Sequence, residues 1–207
     1  MIITGASKGI GRAIVISLAR RCSGNDIDGI ILVARNKEKL DLLSNEITNC
    51  YYGIQTLVVQ CDITSDHDIS DMIKMIKSKN INITILIANA GVGDRADFIN
   101  MTQPKMELIL NTNIIGTTKL IHQVATQLMI QKQESNKRKR KRMIVLMSSI
   151  AGSVPGVPSS AVYAASKAYQ RSFCSSLSRE LESLDEEDDD DDDGSAVQVQ
   201  CIMPGAV

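Results

Sequence analysis

Short apolar runs rich in β-branched residues recur along the chain at 1–4, 30–34, 56–60, 83–88, 143–147 and 197–203. Between them lie longer stretches whose apolar positions follow helical spacing, at 9–20, 37–49, 66–79, 103–133 and 162–184. Strands that are apolar almost throughout suit a parallel sheet covered on both faces, and every parallel crossover then requires a helix. The alternation predicts a doubly wound parallel α/β fold rather than a bundle or a sandwich. No internal repeat interrupts it, and 207 residues suffice for one such domain.

Composition narrows the function classes. An apolar share of 43% and a charged share of 23% exclude a wholly disordered chain. No window reaches the ~18 to 20 uninterrupted apolar residues of a membrane span. The start of the chain shows no secretory pattern, so a cytoplasmic location is expected. Five cysteines (Cys22, Cys50, Cys61, Cys174, Cys201) without CxxC spacing predict inert thiols in a reducing compartment, with no metal site. The net charge of -1 argues against a nucleic-acid partner.

That small net charge conceals two opposed runs: six bases from Lys137 to Arg142 and nine acids from Asp185 to Asp193. Outside them, acids and bases nearly balance. The runs mark low-complexity insertions at 132–142 and 185–195, each joining a helix to the next strand. Such connections lie at the end of the sheet opposite the strand carboxyl ends, where ligands bind in open α/β sheets. They are therefore expected to be solvated and remote from chemistry.

The strongest local motif is Thr4-Gly5-Ala6-Ser7-Lys8-Gly9-Ile10-Gly11, between a strand and an amphipathic helix. Such glycines allow a tight turn and close backbone approach to a diphosphate, and the helix start offers free N–H groups and partial positive charge. A purely structural turn stays open at this point. Strand 30–34 ends in Arg35 and Asn36, where a carboxylate would bond a ribose 2′-hydroxyl. Cations here and at Lys8 favour a 2′-phosphate, hence NADP(H) over NAD(H), unless Arg35 is only a solvated strand end. Tyr163 and Lys167 are four apart on a helix and share a face. An ammonium beside a phenol favours the phenolate, a form useful in proton transfer. Alone, that pair is common.

In chain order come the glycine turn, Asp62, Asn89-Ala90-Gly91, Asn113, Ser148-Ser149, Tyr163-xxx-Lys167 and Pro204-Gly205. The joint pattern resembles the short-chain dehydrogenase/reductase family over nearly the whole chain. The resemblance implies a Rossmann-type sheet in one NADP(H)-binding domain over 1–207, and interconversion of a small-molecule carbonyl and alcohol by hydride transfer. It implies Tyr163 as acid/base, Lys167 as the group that tunes it and holds the nicotinamide ribose, and Ser149 as the serine that orients the carbonyl. Asn113 would anchor a water in a relay to Lys167. Cofactor contacts would come from Gly5, Ser7, Lys8, Gly9, Ile10, Gly11, Arg35, Asp62, Asn89, Ala90, Gly91, Tyr163, Lys167, Pro204 and Gly205. A homodimer or homotetramer through helices 103–133 and 162–184 is also implied.

Two departures stand out. Position 88 is Ala where the family often has Asn, and Ser149 to Tyr163 spans fourteen positions, about one more than usual, across a loop marked by Pro155, Gly156 and Pro158. Relatives continue beyond the position of Val207 with a substrate lid and a final strand, so a truncated domain is expected. The alternative to an oxidoreductase is then an inactive cofactor-binding or protein-interaction member of the family.

Overall fold

A computed structural model describes residues 1–21, 27–51, 53–130, 141–186 and 197–205. Most of both charged insertions, at 131–140 and 187–196, and Cys22 lie outside the described residues.

Six strands form one parallel sheet: β1 (Ile2–Thr4), β2 (Gly29–Ala34), β3 (Gln55–Gln60), β4 (Ile85–Ala88), β5 (Arg142–Met147) and β6 (Val197–Ile202). Their order is β3-β2-β1-β4-β5-β6, with every neighbouring pair parallel. The strands are joined by α1 (Gly9–Arg21), α2 (Lys37–Cys50), α3 (Asp66–Ser78), α4 (Gln103–Leu110), α5 (Thr117–Val124) and α6 (Ala161–Glu186). The doubly wound α/β prediction holds.

The strands from β1 to β5 alternate their side chains between two cores, and β6 contributes to one of them. On one face Ile3, Ile30, Leu32 and Val145 pack with Val15 of α1 and Leu40, Leu43 and Ile47 of α2. On the other, Ile2, Ile31, Val33 and Ile144 pack with Ile69 and Ile76 of α3, Leu120 and Val124 of α5, and Cys174 and Leu181 of α6. Burial on both faces explains why the central strands read as unbroken apolar runs.

Helix starts are locally encoded. The Asn36 side chain caps α2 by accepting from the Lys39 N–H at 2.8 Å, and Ser65 caps α3 by accepting from the Asp68 N–H at 3.2 Å.

One prediction needs correction. The stretch predicted over 103–133 is helical without a break from Gln103 to Met129 but is not α-helical throughout: π-turns at Asn111–Gly116 and Ala125–Met129 separate α4 from α5 and follow α5. A π-turn inserts a residue into the ladder without breaking apolar spacing visibly, so the sequence pattern passes over it. The first of these turns carries Asn113. A Cβ on Gly116, at its end, would sit 2.5 Å from the Ile63 carbonyl oxygen, so only glycine lets the turn meet the loop after β3.

The sheet order reverses between β1 and β4, whose chains leave toward opposite sides. The carboxyl ends of the strands there open a crevice, the place where such sheets bind ligands.

Candidate active site

A groove of about 590 Å³ runs along the carboxyl ends of the strands, from Lys8, Arg35 and Lys39 at one end to Tyr163 and Lys167 at the other. Its middle is the glycine turn. Gly5 and Gly9 have φ of +68° and +56°, which favour glycine. A Cβ on Gly5 would lie 2.8 Å from Asn89 Nδ2, and one on Gly11 would lie 2.4 Å from the Gly5 carbonyl oxygen. Gly11 therefore packs the helix against the turn and does not itself line the groove.

Asn89 joins this turn to β4. Its Nδ2 donates to the Thr4 carbonyl at 2.9 Å, and the N–H groups of Asn89 and Ala90 donate to Thr4 Oγ1 at 3.1 and 3.0 Å. The crevice floor is thus fixed by hydrogen bonds across the switch point.

At the open end, Arg35 is 60% exposed and lies 3.8 Å from Asp62. The Asp62 carboxylate accepts from the N–H and hydroxyl of Thr64 at 3.0 and 2.8 Å. The Asp62 N–H and the Ser65 hydroxyl donate to Asp68, holding its carboxyl below the usual range. Asn36 and Lys39 also line this end. Sequence reading missed Lys39, one turn into α2.

At the inner end the side chains are buried. Lys167, 4% exposed, donates from Nζ to the Met147 carbonyl and to Gln170 Oε1, both at 2.9 Å. Burial lowers its pKa to about 8. The ammonium lies 5.8 Å from the centre of the Tyr163 ring. Gly93 faces that ring so closely that a Cβ there would lie 3.0 Å from Tyr163 Cδ2.

Asn113, fully buried, stands behind the groove wall rather than in it. Its side-chain amide accepts from the Val92 N–H at 2.9 Å, donates to the Val92 carbonyl at 2.8 Å and donates to Ser166 Oγ at 3.0 Å. The Ser166 hydroxyl donates to the Tyr163 carbonyl at 2.7 Å. Asn113 therefore ties the loop after β4 to the helix that carries Tyr163.

The two neighbouring serines differ. Ser148 is buried and donates to the Lys167 carbonyl at 2.8 Å, which commits it to bracing α6. Ser149 is half-buried, and its Oγ accepts from the Ala151 N–H at 3.2 Å, leaving the hydroxyl proton for another acceptor. It is not among the groove-lining residues, and neither is Gly205, whereas Pro204 is.

Two features fit a dinucleotide. The φ-positive glycines let backbone approach a diphosphate closely. The Thr112 hydroxyl, buried in the groove wall, has no hydrogen-bond partner among the described residues. No pattern in the sequence distinguished this threonine. The thiols are quiet: burial pushes Cys61 and Cys174 up to about 12, so neither is a nucleophile at neutral pH.

The model of the family described as short chain dehydrogenase matches residues 1–207. A very-long-chain 3-oxoacyl-CoA reductase of Pyrenophora tritici-repentis is 35% identical over 87% of this chain and 50% of its own length. A 3-oxoacyl-(acyl-carrier-protein) reductase of Staphylococcus epidermidis is 28% identical over 88% of this chain and 68% of its own. Among solved structures, a short-chain dehydrogenase from Sphingobium yanoikuyae in complex with NADPH superposes with a TM-score of 0.78 at 27% identity. It covers 99% of this chain and 70% of the other. The chain spans about half the length of the very-long-chain reductases it matches.

Proposed function

The chain belongs to the short-chain dehydrogenase family, and from that premise we propose that it is an NADP(H)-dependent oxidoreductase interconverting a carbonyl and an alcohol. The observation that carries the reading is the buried Lys167 ammonium beside Tyr163, at the inner end of a glycine-floored groove.

The nicotinamide, when bound, supplies the hydride. The protein supplies position and a proton. Gly5, Ser7, Gly9 and Ile10 cradle the diphosphate at the start of α1, and Asn89, Ala90 and Gly91 form the floor beneath the inner half. Asp62 meets the adenosine, and Pro204 and Gly205 border the nicotinamide end. Tyr163 gives its phenolic proton to the substrate oxygen in reduction and takes it back in oxidation. Lys167 favours the phenolate that remains and holds ribose hydroxyls. Ser149 donates to the carbonyl oxygen, and Asn113 holds the wall that aligns the groove with α6.

Lys8, Arg35 and Lys39 support NADP(H) over NAD(H), because three cations at the adenosine end suit a 2′-phosphate. For substrate we propose 3-oxoacyl thioesters first. Both relatives named above are 3-oxoacyl reductases, and exposed Ile150, Val154 and Met203 beside Ser149 offer an apolar rim for an acyl chain. Exposed Leu108, Ile115 and Tyr169 support association through α4 and α6 as a homodimer or homotetramer. The four described cysteines are free thiols, which suits a reducing cytoplasmic setting. Among the described residues no helix is long and apolar enough to cross a membrane.

The test is NADPH oxidation with 3-oxoacyl thioesters and a panel of ketones. Turnover is expected, falling about 10²- to 10⁴-fold in Tyr163→Phe. Full activity in Tyr163→Phe overturns the assignment of the acid. Tight NADPH binding with no turnover on any carbonyl favours a cofactor-binding, inactive member.

A further inference from the structure

The helix that carries Tyr163 and Lys167 brings a third polar side chain into the same buried layer. Gln170 is 1% exposed and follows Lys167 by three residues, close to one helical turn. Its Oε1 accepts from Lys167 Nζ at 2.9 Å, and its Nε2 donates to the Asn113 main-chain carbonyl at 2.8 Å. Both ends of the amide are therefore engaged, with partners of opposite kind.

The orientation of that amide is forced. An ammonium has donors only, so it faces the amide oxygen, and a carbonyl has acceptors only, so it faces the amide nitrogen. The Asn113 carbonyl belongs to the π-turn, where the backbone ladder is out of register and carbonyls draw partners from side chains. The preceding carbonyl, of Thr112, does the same: it accepts from the Thr117 hydroxyl at 2.9 Å. The π-turn and Gln170 thus complete each other, since without the turn's carbonyl the buried amide NH₂ of Gln170 would lose its acceptor.

We propose that Gln170 is a positioning residue, whose amide bridges the Lys167 ammonium to the Asn113 carbonyl and so fixes Nζ at the inner wall of the groove in its charged form. The inference rests on the reading of Lys167 as the group that tunes Tyr163. Two of the three ammonium protons are spent on Met147 and Gln170, which directs the third toward the groove. Chains of hydrogen bonds polarise one another, so a bond to the π-turn carbonyl makes the amide oxygen a better acceptor for the ammonium. The titratable groups facing Lys167 are Tyr163 on its own helix and Cys201 on β6. From β5 it meets the Met147 carbonyl, and from the loop after β4 it faces Gly91, which also faces the Asn113 amide of the π-turn, all neutral.

Side-chain NMR of the full chain without cofactor tests this. In the wild type, the Gln170 NH₂ signals, assigned through bonds from the Gln170 backbone amide, should exchange slowly with solvent. They should also shift with the titration of Lys167, whose midpoint is expected near 8. Gln170→Met should lower the Lys167 midpoint, weakening proton affinity about tenfold, and Gln170→Glu should raise it by at least as much. Gln170 protons that exchange at the solvent rate and ignore the Lys167 titration overturn the proposal, even if neither variant folds. So do folded Gln170→Met and Gln170→Glu chains with an unmoved midpoint. These readouts need no turnover: a wild type inert toward every carbonyl sinks the oxidoreductase reading while leaving the bridge to be judged on its own signals.

Discussion

The two ends of the groove are built on different physics. At the open end, proposed for the adenosine, the charged groups stand in solvent: Arg35 is 60% exposed, and its partner Asp62 is 3.8 Å away. Interactions there are screened by salt and individually worth little. At the inner end Lys167, Asn113 and Gln170 are all nearly inaccessible and are joined to three separate segments: the end of β5, the π-turn, and the loop after β4. Low dielectric makes each bond there stronger and each unpaired group more costly. The open end can change its residues at little cost to the fold. The inner end cannot change one partner without disturbing the others.

The widest gap between the ends should appear in stability against pH. Burial holds Lys167 near 8 in the folded chain, against 10.5 for the free side chain. Between these values the unfolded chain binds more protons than the folded one, so stability rises with pH through that window. Below about 8 both states carry the charge, and the full penalty of burying it remains. The difference corresponds to roughly 3 kcal/mol. Relative to Lys167→Met, urea unfolding of the wild type should gain about that much from pH 7 to pH 10. Two parallel curves would show that the ammonium is not buried as described. Arg35→Met should produce no such divergence.

A smaller contrast lies in two glycines. A Cβ on Gly152 would fall 2.5 Å from the Lys167 carbonyl carbon and 2.7 Å from the Ala168 nitrogen, so the turn after Ser149 packs directly on the backbone of α6. Gly152→Ala must push the two apart, and overpacking of this kind costs about 2 kcal/mol, or roughly 6 °C in Tm for a domain of this size. Gly9, in the glycine turn on the open side of the groove from Lys167, has nothing within 4 Å of its Cβ position, only a φ of +56°. Gly9→Ala should therefore cost about 1 kcal/mol. Thermal unfolding of the pair checks the order, and equal losses would erase the distinction between a packed end and an open one.

The same division governs what the sequence discloses. Tyr163 and Lys167 declare themselves because one helix fixes their spacing, and the glycine turn because a single loop contains it. Alternation of apolar runs specified the sheet, since strands buried on both faces must be apolar throughout. The partners of Lys167 were not legible. Gln170 looks like any polar helix residue until α6 is known to face the π-turn, and that turn is hidden inside the periodic stretch 103–133. Its one trace is a glutamine on the helix face that also carries the lysine. Thr112 and Lys39 were missed for a similar reason: each reaches the groove from an element whose placement depends on tertiary packing. Asn113 was found only through the resemblance, because its bonds to Val92 and Ser166 link residues 21 and 53 positions apart.

The smallest effect is expected at Arg35. Its removal deletes one exposed cation from the three that line the adenosine end, and Lys8 and Lys39 remain. A surface charge pair contributes about 0.5 to 1 kcal/mol, so Arg35→Ala should reduce the preference for NADPH over NADH about two- to fivefold. The carboxylate of Asp62, relieved of its partner, then opposes a 2′-phosphate more strongly and pushes toward the upper end of that range. Binding titrations with both cofactors at low and high salt measure this. At 0.5 M salt the wild-type preference should shrink toward that of the variant, because screening acts on exposed charges. A preference that is large, insensitive to salt and abolished by this single change would mean that Arg35 is desolvated when cofactor binds. The adenosine end would then close over its ligand, and the contrast with the inner end would hold only for the free protein.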